Sequence, residues 1–131
     1  MLSKISLRTR IPSEYNRQSW FDMVNQIETL VNKFVDGYLF QVTSISADYT
    51  AHEADSIILA DATSAAITVT LPPAAESVGK RITVKKIDAS ANAVTVDGNG
   101  SETIDDATTA VISSQYDSIC LVSDNTEWWI V

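Results

Sequence analysis

The hydrophobic pattern of this chain changes its period at Gly37, and that change limits the folds available to it. Before Gly37, apolar residues recur at intervals of three and four, which is the spacing of one face of a helix. After Gly37, apolar residues alternate with polar ones, as they do in strands with one buried face. The 131 residues therefore predict one helix followed by a β domain of ordinary size.

The helix is predicted over residues 13–37. Pro12 disfavours helical geometry in the residue before it, Ser13 is a good N-cap, and Gly37 suits a C-terminal cap. Five apolar residues along this segment follow heptad spacing: Trp20, Met23, Ile27, Leu30 and Phe34. We predict that this seam packs against copies of the same helix in a homotrimer. The alternative is that the seam packs on the chain's own β domain. A pattern of two heptads is too short to distinguish these two arrangements.

The β domain is predicted over residues 48–131. Short strands are separated there by turn chemistry such as Pro72-Pro73 and Asp97-Gly98-Asn99-Gly100. Because no second helix signal appears, the expected fold is mainly β, a small antiparallel sandwich or barrel behind the N-terminal helix. The predicted strands occupy residues 56–59, 67–71, 82–84, 94–96, 109–112, 117–123 and 127–131.

Two of these strands are apolar on both faces. They are Ile119-Cys120-Leu121-Val122 and Trp128-Trp129-Ile130-Val131. A strand of a sandwich needs only one buried face, so another subunit is a reasonable cover for the second. The sequence thus predicts an interface between β domains that involves Cys120, Val122, Trp128 and Trp129, with both indoles mostly buried.

Charge is spread unevenly along the chain, whose net charge is −8. Residues 37–131 carry four basic and thirteen acidic side chains, which argues against nucleic acid as a partner. Residues 1–12 are predicted to form an extended arm whose Lys4, Arg8 and Arg10 dock on an acidic protein surface; a disordered tail is the open alternative. No apolar run approaches the ~20 residues that span a bilayer, and no signal-peptide pattern is seen, so assembly in the cytosol is expected.

Candidate chemistry is sparse. Asp97 with Asp105-Asp106 could be read as a carboxylate pair for glycoside cleavage, but turn acids are the better interpretation. His52 has no nucleophile in a known motif beside it, and one cysteine with one histidine cannot form the usual zinc site. The basic pairs Lys80-Arg81 and Lys85-Lys86 are predicted to lie on a solvated edge strand. No catalytic, cofactor or metal site is therefore expected, and Cys120 is predicted to be inert.

Several motifs resemble a β module found in the fibre, spike and head-decoration proteins of tailed bacteriophages. They are, in order, Ile57–Ala74, Gly79–Asp88, Val94–Gly100, Glu102–Asp105 and Leu121–Trp129. A shorter likeness, from Arg10-Ile11-Pro12-Ser13-Glu14-Tyr15 to Asp36-Gly37, is similar to the opening of small virion proteins of such phages. Such modules are typically trimeric, so the resemblance implies a homotrimer.

The resemblance implies a structural component of the virion, assembled in the host cytoplasm. It would be a capsid decoration or cement protein, a head fibre or a short tail fibre, bound to the major capsid protein or other virion proteins. The alternative is a receptor-binding fibre module that recognises host-surface glycan through Trp128, Trp129 or Tyr116. A small hydrolase or lyase is disfavoured because no coherent polar constellation is present.

Overall fold

A computed structural model describes residues 17–35 and 40–131 of the chain. The chain separates into two units, residues 1–39 and residues 40–131. Helix α1 (Arg17–Val35) lies within the predicted helical segment, which confirms a helix there. Residues 13–16 and 36–37, with the predicted caps at Ser13 and Gly37, lie outside the described residues, as does the predicted arm over residues 1–12.

The second unit contains nine strands and one short 3-10 helix, Ala74–Glu76. The strands are β1 (Gln41–Ile45), β2 (Tyr49–Thr50), β3 (Asp55–Ala60), β4 (Ile67–Thr70), β5 (Arg81–Lys86), β6 (Val94–Asp97), β7 (Thr109–Ile112), β8 (Ser118–Ser123) and β9 (Trp128–Ile130). They form a five-stranded sheet in the order β1-β3-β5-β8-β9 and a four-stranded sheet in the order β2-β4-β6-β7. The described residues are thus mainly β, and the two sheets follow one helix along the chain. The β unit extends back to residue 40, and β1 and β2 were not among the predicted strands.

The prediction of an antiparallel sandwich is wrong for the first six strands. The chain crosses from one sheet to the other after each of the first five strands, so each of β1 to β4 pairs with the strand two places later and runs parallel to it. The pairings β5–β8, β6–β7 and β8–β9 are antiparallel, because the chain reverses its course after β6. Short strands with turn residues between them suggested hairpins, whereas the first turns are corners that connect two sheets.

The core lies between the two sheets and follows from the period of two within each strand. In β4 and β6 the valines and isoleucines point inward, while the threonines between them point outward. Burying each such aliphatic side chain contributes about 1.5–3 kcal/mol. The fully enclosed apolar residues include Ile58, Ala60, Ile67, Val69, Leu71, Ile82, Val84, Val94, Val96, Leu121 and Trp128.

Trp128 is the largest of the fully buried side chains. Its indole fills the end of the core, and its Nε1 donates a hydrogen bond to the carbonyl oxygen of Pro72 at 3.3 Å. The prediction that Trp128 is buried is confirmed. Trp129 points to the opposite face of β9 and remains 38% exposed.

We expect Trp128→Ala to lower the free energy of unfolding by about 3–5 kcal/mol, because it removes a buried indole and leaves a cavity. Trp129→Ala, the matched change one residue along, should lower it by much less. Denaturant unfolding followed by far-UV circular dichroism at one chain concentration measures both. Equal losses for the two variants would contradict the assignment of the two faces.

Candidate association surfaces

The heptad seam of α1 is exposed along most of its length. Met23, Ile27, Leu30 and Phe34 are between 40% and 64% exposed, and Trp20 is half-buried. By contrast, Val24 on the neighbouring stripe is buried. Four of the five residues predicted to form the trimer seam are therefore open to solvent in a single copy. An apolar stripe of this kind is a candidate contact surface.

The five-stranded sheet carries a second apolar surface on the side that faces away from the core. Strand register places Ile57, Thr83 and Cys120 in one cross-strand row on that side. Val122 and Trp129 form a neighbouring row. We call this surface the outer apolar face; its members are Val42, Ile57, Leu59, Thr83, Cys120, Val122 and Trp129.

The residues predicted for the interface between β domains divide between the two sides of the sheet. Cys120, Val122 and Trp129 lie on the outer apolar face. Trp128 is not available to an interface, because its side chain is enclosed in the core. Sequence reasoning missed Ile57 and Leu59, although Ile57-Ile58-Leu59 is apolar on both faces in the same way as the two strands that were singled out.

The outward side of the four-stranded sheet is polar. Register places Thr68 beside Thr95, and Thr70 beside Asp97. Val111, on the edge strand β7, is the one large apolar residue in these rows, and it is 58% exposed. The two outward faces of the β unit therefore differ sharply in chemistry, and only one of them resembles a buried surface.

The three candidate catalytic acids, Asp97, Asp105 and Asp106, lie in a turn or on a sheet surface. Asp105 and Asp106 are consecutive residues with positive φ, of 50° and 66°, in the turn between Ile104 and Ala107. The carboxylate of Asp105 accepts a hydrogen bond from the backbone N–H of Ile130 at 3.0 Å. Asp97 lies on the outward side of the four-stranded sheet. The interpretation of Asp105 and Asp106 as turn acids is confirmed.

A small polar cluster joins the first three strands. Asp55 is buried, and its carboxylate accepts hydrogen bonds from Thr43 Oγ1 at 2.5 Å, Tyr49 OH at 2.9 Å and the His52 backbone N–H at 2.8 Å. Burial favours a higher pKa for Asp55, but these hydrogen bonds outweigh it and hold the pKa below its ordinary value. Burial and the adjacent carboxylate raise the pKa of Tyr49. The cluster fixes β1, β2 and β3 together, which is a structural task.

His52 is exposed, as expected, and its ring meets that of Tyr49 edge-on at 5.7 Å. It lines a cleft of about 260 Å³ that also holds the exposed carboxylates of Glu53 and Glu76. No hydrogen bond between a nucleophile and a base appears in this cleft among the described residues. Nor do residues 17–35 and 40–131 bring together three or more His, Cys, Asp or Glu side chains that could hold a metal ion.

Lys86 is fully buried, so the prediction of a solvated edge strand is wrong at this residue. Strand β5 is central in its sheet, and Lys86 follows Ile82 and Val84 on the inward side. Its Nζ donates to Asp88 Oδ1 at 2.6 Å in the corner between the two sheets. The inward phase of the strand and the acid two residues later were the signals for this pair in the sequence.

Asp88 also connects two corners of the chain, the one between β3 and β4 and the one between β5 and β6. Its Oδ2 accepts a hydrogen bond from the backbone N–H of Ala62 at 2.7 Å, and its Oδ1 accepts one from Ser90 Oγ at 2.5 Å. Burial favours a higher pKa for Asp88, but the hydrogen bonds from Lys86, Ser90 and Ala62 outweigh it and hold the pKa well below its usual range.

Comparison with known protein families returns no match, and comparison with curated protein sequences returns none either. Within the described part of the chain, no helix is both long enough and apolar enough to cross a bilayer. The residues predicted to dock on the virion, Lys4, Arg8 and Arg10, lie outside the described residues.

We expect stability to fall as the pH drops below the ordinary aspartate pKa of 3.8, because the folded state lowers the pKa of Asp88. The stability that Asp88 contributes is complete above that pH and is lost as the carboxylate takes up a proton. The difference in unfolding free energy between the native chain and Asp88→Asn should therefore be large at pH 7 and shrink toward pH 2.

Urea unfolding at a series of pH values measures this difference. Asp97→Asn, on the outward side of the four-stranded sheet, is the control and should change stability little at either pH. A constant difference between the native chain and Asp88→Asn from pH 7 to pH 2 would contradict the role given to Asp88.

Proposed function

We propose that this chain is a structural component of a tailed-bacteriophage virion that acts by protein–protein association as a homotrimer. One observation carries the proposal: α1 presents four heptad-spaced apolar side chains, Met23, Ile27, Leu30 and Phe34, that a single copy leaves 40–64% exposed. An isolated helix of 19 residues is only marginally stable in water, so the seam requires a partner surface. The same helix in other copies provides one.

Three helices suit this seam better than two. Trp20, Ile27 and Phe34 recur every seven residues and take the a-type positions, while Met23 and Leu30 take the d-type positions. Indole and phenyl groups at a-type positions need more room than a tight two-stranded seam provides. A threefold arrangement around one axis gives them that room and also matches the trimeric state implied by the resemblance to phage modules.

The polar groups of the β unit support a structural role over a catalytic one. Asp55 and Asp88 are buried and accept several hydrogen bonds each, so both act as braces between neighbouring segments of the chain. Lys86 is enclosed with Asp88 and cannot reach a substrate. The protein is therefore proposed to work by binding other proteins.

The proposed partners are the major capsid protein or other virion proteins, and the proposed location is the virion after assembly in the host cytoplasm. The basic arm over residues 1–12 would dock on an acidic surface of the particle through Lys4, Arg8 and Arg10. A capsid decoration or cement protein, or a short fibre, is favoured because a host-recognition fibre usually projects its tip on a long shaft, whereas the described helix has 19 residues.

Recognition of host-surface glycan is the second candidate. Tyr116 is 63% exposed and Trp129 is 38% exposed, and exposed aromatic rings are suited to stacking on sugars. The ammonium of Lys85 lies 5.9 Å from the centre of the Tyr116 ring. This candidate requires both rings to stay open in the assembled particle, whereas the structural role buries Trp129 between copies.

Ile27→Asp should convert the trimer to single copies, because it places a carboxylate in the centre of the α1 seam. Sedimentation velocity measures the mass of each variant. Gln26→Asp adds the same carboxylate one residue away, outside the seam, and should leave the mass unchanged. An unchanged oligomer for Ile27→Asp would count against the seam.

Deletion of residues 1–10 should leave the β unit folded and abolish incorporation into virions, since it removes Lys4, Arg8 and Arg10. Circular dichroism of the purified chain checks the fold, and the protein content of purified particles checks incorporation. Normal incorporation of the shortened chain would refute docking through the arm.

A further inference from the structure

We infer that the outer apolar face of the five-stranded sheet, defined above, is a second contact between copies of this chain, and that it packs against an acidic surface of the next copy. The inference rests on the proposed self-association and adds a particular surface and orientation to it. It concerns the β unit by itself and is independent of the α1 seam.

The chemical composition of the outer apolar face supports this contact. The row Val42, Ile57, Thr83 and Cys120 crosses four adjacent strands without a charged residue. On the opposite sheet, the outward rows carry Thr68, Thr95 and Asp97 instead. In a sheet whose outward side stays in water, polar outward residues normally alternate with apolar inward residues along each strand, as they do in the four-stranded sheet. The five-stranded sheet departs from that rule on its outward side, which is expected of a surface that becomes buried.

The distribution of charge over the β unit also supports this contact. The β unit has four basic residues, Lys80, Arg81, Lys85 and Lys86, against thirteen acidic ones, and Lys86 is buried. Of the other three, Arg81 and Lys85 lie on the outward side of β5, where register places Arg81 opposite Val122 and Lys85 opposite Leu59 within the outer apolar face. The cross-strand rows of that face contain no acid. Beside these rows, the carboxylate of Asp124 accepts a hydrogen bond from Trp129 Nε1 at 2.8 Å. With Arg81 and Lys85 against this acid, the face is an apolar surface with a net positive charge on an otherwise strongly acidic unit.

This distribution selects the geometry of the contact. Two outer apolar faces packed on each other would bring Arg81 and Lys85 of one copy toward those of its partner, which is unfavourable. Packing against a different, acidic region of the next copy pairs opposite charges instead. Such a contact joins two different surfaces, and it forms a closed ring when the rotation between copies is a whole fraction of a turn, or an open filament otherwise. A closed ring is the symmetry that a trimer requires.

The area of the outer apolar face indicates how strongly it can hold two copies together. Five strands spaced about 4.8 Å apart, with central strands about 20 Å long, give a face of roughly 400 Å². A stable interface buries about 800 Å² on each partner. The outer apolar face is therefore within the usual range for the largest exposed apolar patch of a protein and too small to hold copies together alone. It should strengthen an association that the α1 seam also supports, so its loss should weaken the oligomer without abolishing it.

The test uses the full chain with Val122→Glu, which places a carboxylate between Arg81 and Trp129 on the outer apolar face, where it offsets the positive charge and repels an acidic partner surface. Val111→Glu is the matched control, because it makes the same change at an exposed strand residue on the other sheet. We expect Val122→Glu to raise the dissociation constant of the oligomer by about tenfold or more, measured by sedimentation across a dilution series. Val111→Glu should leave it within about twofold. Equal constants for Val122→Glu and the native chain would overturn the inference.

Two further measurements keep the test decisive if Val122→Glu folds poorly. Arg81→Glu changes only an exposed charge, and it should weaken association while Arg81→Lys does not. Cys120, the single cysteine, reports on the same face without any substitution. Its alkylation by a small maleimide should be slow at high chain concentration and fast at dilution. A rate independent of concentration in an oligomeric sample would also overturn the inference.

The outcomes separate this inference from the proposed function. If Ile27→Asp dissociates the chain while Val122→Glu and Arg81→Glu associate normally, the outer apolar face is not an interface and the helical trimer stands. If both faces behave as expected but the protein is absent from purified virions, the virion role fails and the contact between copies stands.

Discussion

Each strand of this β unit has two faces, and the two-sheet arrangement can cover only one of them. The chain crosses between sheets after each of its first five strands, so inward residues such as Ile58, Val84 and Val94 close a core between the two sheets. Everything that points outward must meet either water or another molecule. The four-stranded sheet resolves this with threonines and Asp97, whereas the five-stranded sheet places Ile57, Val122 and Trp129 there. The proposed association of copies follows from that difference, and the exposed seam of α1 poses the same requirement on the first unit.

The corners between the sheets explain why so short a chain can maintain a parallel stack. Parallel neighbours cannot be joined by tight hairpins, so successive corners must be fixed to one another by side chains. Asp88 does this for the β3–β4 and β5–β6 corners, because it accepts hydrogen bonds from Ala62 in the first and from Lys86 and Ser90 at the second. Asp55 has the same role at the start of the unit, where Thr43, Tyr49 and His52 donate to it. Their hydrogen-bonded surroundings account for the lowered pKa of both acids without any catalytic purpose.

Much of this architecture could be predicted from local pattern. The alternation in Ile67–Thr70 and Val94–Asp97 identified both strands, and heptad spacing identified α1 and its apolar seam. Strand direction could not be predicted in the same way, because alternation fixes which side chains share a face and says nothing about which strand is the neighbour. The two-residue strand β2 is too short to show a period, and β1 places Thr43 inward and Val42 outward, which inverts the usual pattern. The charge of Lys86 predicts a solvent-exposed side chain, whereas its alternation with Ile82 and Val84 along β5 places it on the inward side. The outer apolar face was predicted only in part, since its extent depends on the register of five strands.

The proposed association requires that a single copy exposes more apolar surface to water than a stable monomer would. The most direct measurement is the molar mass of the unmodified chain in solution, by sedimentation equilibrium over a wide range of concentrations. The account predicts a species of three copies of the 14.3 kDa chain, with dissociation only on strong dilution. A stable, soluble species of one copy at every concentration, with Ile27 and Trp129 still open to solvent, would contradict it.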